Sequence, residues 1–135
     1  MSAPSGGAPD KGWQLSANDP ITTSVAHRDG IAVVTVGGEI DSFTAPVFEA
    51  AIAEALAVDP TALIIELSTV TFLASAGLQI LAATHGKVSK SAHFTVVAKG
   101  PATSRPIQLT GLDETLDIYP TLDDALTAVR IRLVQ

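Results

Sequence analysis

Ser75 is the residue through which this sequence could do chemistry. It stands in Thr61–Leu81, TALIIELSTVTFLASAGLQIL, where an apolar run gives way to a short loop and then to Ser75, Ala76 and Gly77. A buried strand that delivers a hydroxyl to the start of a helix presents that group to solvent, where it can react or be modified. Two readings of the residue stand side by side. As a helix cap, the hydroxyl would satisfy an orphan backbone N–H and contribute about 0.5–2 kcal/mol. As a modifiable group, it would take a phosphate, which adds roughly −1.5 to −2 charges at neutral pH and suits the free N–H groups of a helix N-terminus. Gly77 is either a close-packing residue or part of a functional loop.

The remaining residues offer little for catalysis. LASAG is not the G-x-S-x-G nucleophile elbow, and His27, His85 and His93 have no spacing that commits one of them to act as a base or a metal ligand. No glycine-rich phosphate loop is present, and the absence of cysteine excludes disulfides, thiol catalysis and Cys-ligated zinc. The sequence therefore reads as a non-enzyme without metal or cofactor. Asp41, just before a helix start, has the position of a turn or capping residue, and Glu39 is similarly placed. Gln79 falls on the exterior of the helix that begins at Ser75.

These residues must be positioned by one α/β domain. At 135 residues the chain suffices for one domain with a substantial core. Nearly half of it is apolar but only 4% is aromatic, so Ala, Val, Leu and Ile must build that core in layers. A formal net charge of −6 with no Lys/Arg cluster excludes the phosphate contacts that dominate nucleic-acid binding. No apolar run approaches the roughly 20 residues of a membrane span, and MSAPSGGAPDKGWQ has no signal-peptide pattern, so a cytoplasmic protein is expected. Residues 1–19, rich in Ser, Ala, Gly and Pro, read as a disordered leader and 20–135 as the domain. Trp13 is the one aromatic residue of that leader; a mobile tail is the expectation for it, with docking on the domain the alternative.

Alternation over Ile21, Thr23, Val25 and His27, then Asp29-Gly30, then Ile31–Val36, predicts a hairpin ended by Gly37-Gly38. A helix follows from about Thr44, with Pro46 in its first turn and Phe48, Ala51, Ile52, Ala55 and Leu56 as its buried stripe, until Asp59-Pro60 stops it. Ala62–Leu67 reads as a central strand buried on both faces. A loop then leads to a helix over about Ser75–Ser89, with Leu78, Leu81, Ala82 and Val88 inward. Strand His93–Ala98, a short helix Thr103–Leu109, an edge strand near Leu116–Tyr119 and a last helix complete the order. Thr121 with Asp124 resembles a capping box for that helix, whose stripe is Leu122, Ala125, Leu126 and Val129.

Two motifs carry a family resemblance. Gly38-Glu39-Ile40-Asp41 followed by Thr44-Ala45-Pro46 looks like GELD…TAP, and Phe72-Leu73-Ala74-Ser75-Ala76-Gly77-Leu78 looks like the phosphorylation loop F-[ML]-D-S-[ST]-G-[LV]. Arg105-Pro106-Ile107 and Gly111-Leu112 sit where bacterial members have R-x-[IL]…GL. In these motifs and in element order, the chain from Ile21 to Val134 resembles the STAS domain, named after sulfate transporters and anti-sigma factor antagonists. The MSAP start, the GGEID turn and ILAAT make it most similar to mycobacterial antagonists acting in the sigma factor F system.

The resemblance implies a mixed central sheet of four to five strands with about four helices, and a protein switch without catalysis. An unmodified antagonist binds an anti-sigma factor and frees the sigma factor; the anti-sigma factor, often a serine kinase, phosphorylates the antagonist and breaks the complex, and a serine phosphatase resets it. Ser75 matches the phosphorylated position, and Asp41, Ala74, Ser75, Ala76, Gly77 and Gln79 match or adjoin the partner-binding surface. Ala74 departs from the family, whose motif has Asp there, and Ala76 replaces a frequent Ser or Thr. This removes an acidic contact for the partner and kinase and leaves Ser75 the one hydroxyl of the tetrad, with Ser68, Thr69 and Thr71 as lesser candidates. The alternative within the same fold is a free-standing STAS subunit of a membrane transport ATPase or a stressosome-like assembly.

Overall fold

The computed structural model describes residues 20–134; the leader expected over 1–19, and Trp13 within it, lie outside the described residues. Strand β1 (Ile21–Arg28) turns through Asp29 and Gly30, both at positive φ (55° and 81°), into β2 (Ile31–Ile40). This two-residue geometry matches the twist of an antiparallel hairpin, and the pairing runs from Arg28↔Ile31 to Ile21↔Gly38. Helix α1 (Ala45–Leu56), β3 (Ala62–Leu73), α2 (Ser75–Val88) and β4 (His93–Val97) follow. Helix α3 (Ser104–Leu109), a 3₁₀ turn, β5 (Asp117–Tyr119) and α4 (Leu122–Leu133) end the chain. The five strands lie in sequence order, antiparallel between β1 and β2 and parallel thereafter.

The central strand has the two-sided burial its apolar run predicts. Leu63, Ile65 and Leu67 enter the main core beneath α1 and α2, while Ala62 and Ile64 meet α4 on the opposite face. Phe48 on α1 and Leu81 on α2 are fully buried, which stabilises each helix on the sheet by about 1.5–3 kcal/mol. The last helix is capped as expected, with the Asp124 amide donating to Thr121 Oγ1 at 3.1 Å. Asp123 and Asp124 in its first turn and Arg130 and Arg132 in its last complement the helix dipole. Arg132 also donates to Asp117 on β5 at 2.5 Å, tying the helix to the edge strand.

Three expectations are corrected. First, Gly37-Gly38 does not end β2, because Gly38 at φ +87° makes a bulge and pairing resumes to Ile40. A Cβ at Gly38 would lie 2.2 Å from the Pro20 carbonyl oxygen, which accepts from the Glu39 amide, so only glycine fits. Second, the segment expected as a loop after Leu67 continues β3 to Leu73, paired with β2 as Gly37↔Thr69, Gly38↔Val70, Glu39↔Phe72 and Ile40↔Leu73. Its pairing with β4 stops at Glu66↔Val97, so β3 and β2 run on past β4 as a paired arm, which β1 accompanies only as far as Gly38. Third, Ala82 is exposed, and the inward face of α2 is completed by Gly77, Ile80 and Thr84.

Candidate functional site at the end of the paired arm

The arm ends in two turns that are held together. The Ala74 amide donates to the Ile40 carbonyl at 2.8 Å, so the turn after β3 continues the ladder beside the turn after β2. Asp41 closes the first turn: its Oδ1 accepts from the amides of Phe43 (2.9 Å) and Thr44 (3.0 Å). Thr44, 3% exposed, accepts from the Asp41 amide and donates to the Glu39 carbonyl, each at 2.9 Å. Of the turn and capping roles, the turn is therefore the one Asp41 performs within the fold: the N-cap of α1 is Thr44, and the amides Asp41 engages precede the helix. Its short Asp41–Thr44 span pushes the intervening Phe43 outward, where it is 87% exposed.

The second turn presents Ser75. The helix N-cap is Ala74, at φ −89° and ψ 175°, and no side chain caps it. Ser75 is the first helical residue and is exposed, so the expectation that its hydroxyl serves as the cap is corrected. The first turn of α2 holds no acidic residue, which leaves the positive end of the helix uncompensated. Gly77 anchors this turn: a Cβ there would meet Leu73 Cδ1 at 2.5 Å and Ile40 Cγ2 at 2.6 Å. Gly77 is thus buried against both strand ends, Ala74 and Ala76 are half-buried, and Gln79 is exposed one turn on.

Five of the six residues expected at the site thus reach its surface at least in part, and Gly77 acts beneath them. Two contributors escape a reading of the sequence. Phe43, two residues after Asp41, and Phe72, three before Ser75 and 52% exposed, put aromatic surface near the two turns in a chain with only four phenylalanines. The signal for Phe43 is its place inside the turn that Asp41 closes, where a side chain has no core to enter. A groove of about 590 Å³ between the C-terminal ends of α1 and α2 lies at the opposite end of the sheet. Among the described residues no group of three His, Cys, Asp or Glu is placed to hold a metal ion.

The sequence model of the STAS domain matches residues 22–125, spanning both motifs and every strand. The chain belongs to the STAS domain family. This STAS chain is 55% identical over 116 residues to the anti-sigma-F factor antagonist RsfB of Mycobacterium tuberculosis, covering 86% of the chain and 95% of the relative. It is 62% identical to an anti-sigma factor antagonist from Mycobacterium paratuberculosis whose crystal structure superposes with a TM-score of 0.80, covering 86% and 99% of the two chains. The STAS fold is shared at 18% identity with the anti-sigma factor antagonist SpoIIAA in its unphosphorylated form, with a TM-score of 0.67 over 81% of this chain and 96% of that one. Among the described residues of this STAS chain no helix is long and apolar enough to cross a membrane.

Proposed function

We propose that the chain is an anti-sigma factor antagonist: a cytoplasmic binding protein, without catalysis of its own, that captures an anti-sigma factor and so releases a sigma factor. The observation that carries the proposal is the identity of 55–62% to two mycobacterial antagonists over nearly their whole lengths. The binding surface is the end of the paired arm, with Asp41 holding the first turn, Phe43 and Phe72 supplying apolar contact, and Ala74, Ser75, Ala76 and Gln79 forming the rim of α2. Aromatic residues, phenylalanine among them, are enriched at interfaces relative to the rest of the surface.

Phosphorylation of Ser75 by the anti-sigma factor, acting as a serine kinase, is the switch, and a serine phosphatase reverses it. The exposed, uncapping hydroxyl at an uncompensated helix end supports this reading, since a phosphate there would meet free amides and leave the fold in place. The partner surface that covers Ser75 would then have to desolvate a dianion, at a cost of several kcal/mol without a counter-charge, enough to weaken binding by orders of magnitude. Ala74 in the place of the family's Asp makes the modification slower than in members that keep the carboxylate.

The test is affinity capture of the tagged chain from its own cells with identification of bound proteins and of Ser75 phosphorylation by mass spectrometry. Recovery of an anti-sigma factor is expected. Recovery of a membrane transport ATPase or a stressosome-like particle in its place would overturn the reading.

A further inference from the structure

The two edges of the sheet are finished differently. Strand β5, at one edge, is three residues long, holds Asp117 in an ion pair with Arg132 and runs straight into Pro120. Short length, charge and proline are devices that keep an edge from pairing with another chain. Strand β1, at the other edge, is eight residues long, and its stretch Ile21–Ala26, ITTSVA, holds no charged residue, glycine or proline. Among the described residues no strand lies on its outer side.

The phase of the hairpin decides which backbone groups this edge presents. In a hairpin closed by a two-residue turn the flanking residues, here Arg28 and Ile31, exchange backbone hydrogen bonds, and every second pair back along the strands does the same. Arg28, Ala26, Ser24 and Thr22 therefore turn their amides and carbonyls toward β2. The Pro20 carbonyl, in the same phase, accepts from the Glu39 amide at 2.6 Å. The amides and carbonyls of Ile21, Thr23, Val25 and His27 point the other way, out of the sheet.

This row is self-complementary. An antiparallel copy placed with Ser24 facing Ser24 of the second copy brings Ile21 opposite His27 and Thr23 opposite Val25, each pair twice. It is the register in which every outward group from Ile21 to His27 finds a partner. Thr23 with Val25 is a β-branched pair, a favourable cross-strand combination. On the other face Thr22 meets Ala26 and Ser24 meets its own copy, all small and exposed. Arg28 falls opposite Pro20, so no like charges meet.

We propose that β1 is a homodimerisation edge: two copies pair their β1 strands antiparallel about a two-fold axis at Ser24, joining two five-stranded sheets into one. The two arms then point in opposite directions, since the paired strands are antiparallel.

The test is sedimentation equilibrium of the intact chain from micromolar to near-millimolar concentration. The average mass is expected to rise from that of one chain toward that of two. Thr23→Pro should hold it at one chain throughout with a melting temperature close to wild type, because the Thr23 amide points out of the edge and its loss costs no bond of the β1–β2 ladder. The chain has no cysteine, so Ser24→Cys, at an exposed position, tests the register without touching the fold. Its facing pair is within reach of a disulfide. Under mild oxidation it should give a linked dimer several-fold faster than Thr22→Cys or Ala26→Cys, whose copies are offset along the strands. A wild type that stays monomeric over the whole range would overturn the proposal. So would association unchanged by Thr23→Pro, or cross-linking equally fast at all three positions, either of which puts the contact elsewhere.

Discussion

Replacing Ala74 by Asp should stabilise the protein, although the core is untouched by the change. Ala74 already has the extended backbone that an N-cap requires, yet it brings no acceptor, and the first turn of α2 carries no acidic side chain. An Asp carboxylate at this position would accept from the amides at the second or third helical position, those of Ala76 or Gly77, and would compensate the helix dipole. Exchanges between Ala and Asp at N-caps change stability by about 0.5–2 kcal/mol, typically near 1. For a domain of this size, 1 kcal/mol corresponds to a rise in melting temperature of about 3–6 °C. Urea unfolding at neutral pH should show a higher midpoint with the same slope, because the surface exposed on unfolding is unchanged. The gain should shrink as pH falls through the ordinary Asp range, since the neutral acid is the weaker acceptor. A melting temperature equal to or below wild type would refute the assignment of Ala74 as a vacant cap, and with it the view that the helix end is electrostatically open.

Further outcomes follow from the same geometry. Ala74→Asp should also speed phosphorylation of Ser75 by the cognate kinase, read by phosphate incorporation over time; an unchanged rate would show that the carboxylate plays no part in recognition. Gly77→Ala should lower stability by about 1–2 kcal/mol in denaturant titration, because the overpacking cost of roughly 1–3 kcal/mol against Ile40 and Leu73 exceeds the gain of about 0.5–1 from removing a helical glycine. Phe43→Ala should leave the melting temperature unchanged, the side chain being 87% exposed, yet weaken capture of the anti-sigma factor at least ~30-fold, the equivalent of about 2 kcal/mol at a binding hot spot. Ser75→Glu should melt at or slightly above wild type, since an acid in the first turn contributes about 0.3–1 kcal/mol.

Much of this architecture is legible in the sequence because each element carries its own signal. Asp29-Gly30 specifies the turn, the run Ala62–Leu67 a strand covered on both faces, and Thr121 with Asp124 the start of the last helix, and each is found in place. The errors gather at the arm. Gly37-Gly38 reads as a terminator by local propensity, but tertiary pairing with Thr69 and Val70 turns it into a bulge inside a longer strand. The run Ser68–Leu73 has the β-branched residues of a strand, yet it reads as a loop because its alternation is broken: Leu67, Val70 and Leu73 are buried three residues apart. Local propensity gives the cap of α2 to the residue type that favours it, Ser75, whereas the backbone puts the break one residue earlier. Ser75 is freed by that single-residue difference, which lies below what local propensity resolves. Phe43 and Phe72 are invisible for a different reason, since exposure of an aromatic residue is a property of the assembled turns.

One exposed hydroxyl, on this reading, decides whether the partner binds. The direct measurement is titration calorimetry of the purified anti-sigma factor with the wild type, Ser75→Ala and Ser75→Glu, after unfolding curves have shown all three to be equally folded. Similar affinities are expected for wild type and Ser75→Ala, and a loss of at least about a hundredfold for Ser75→Glu, equivalent to some 2.7 kcal/mol. Equal affinity for all three would contradict the switch and reduce Ser75 to an ordinary surface residue of the helix.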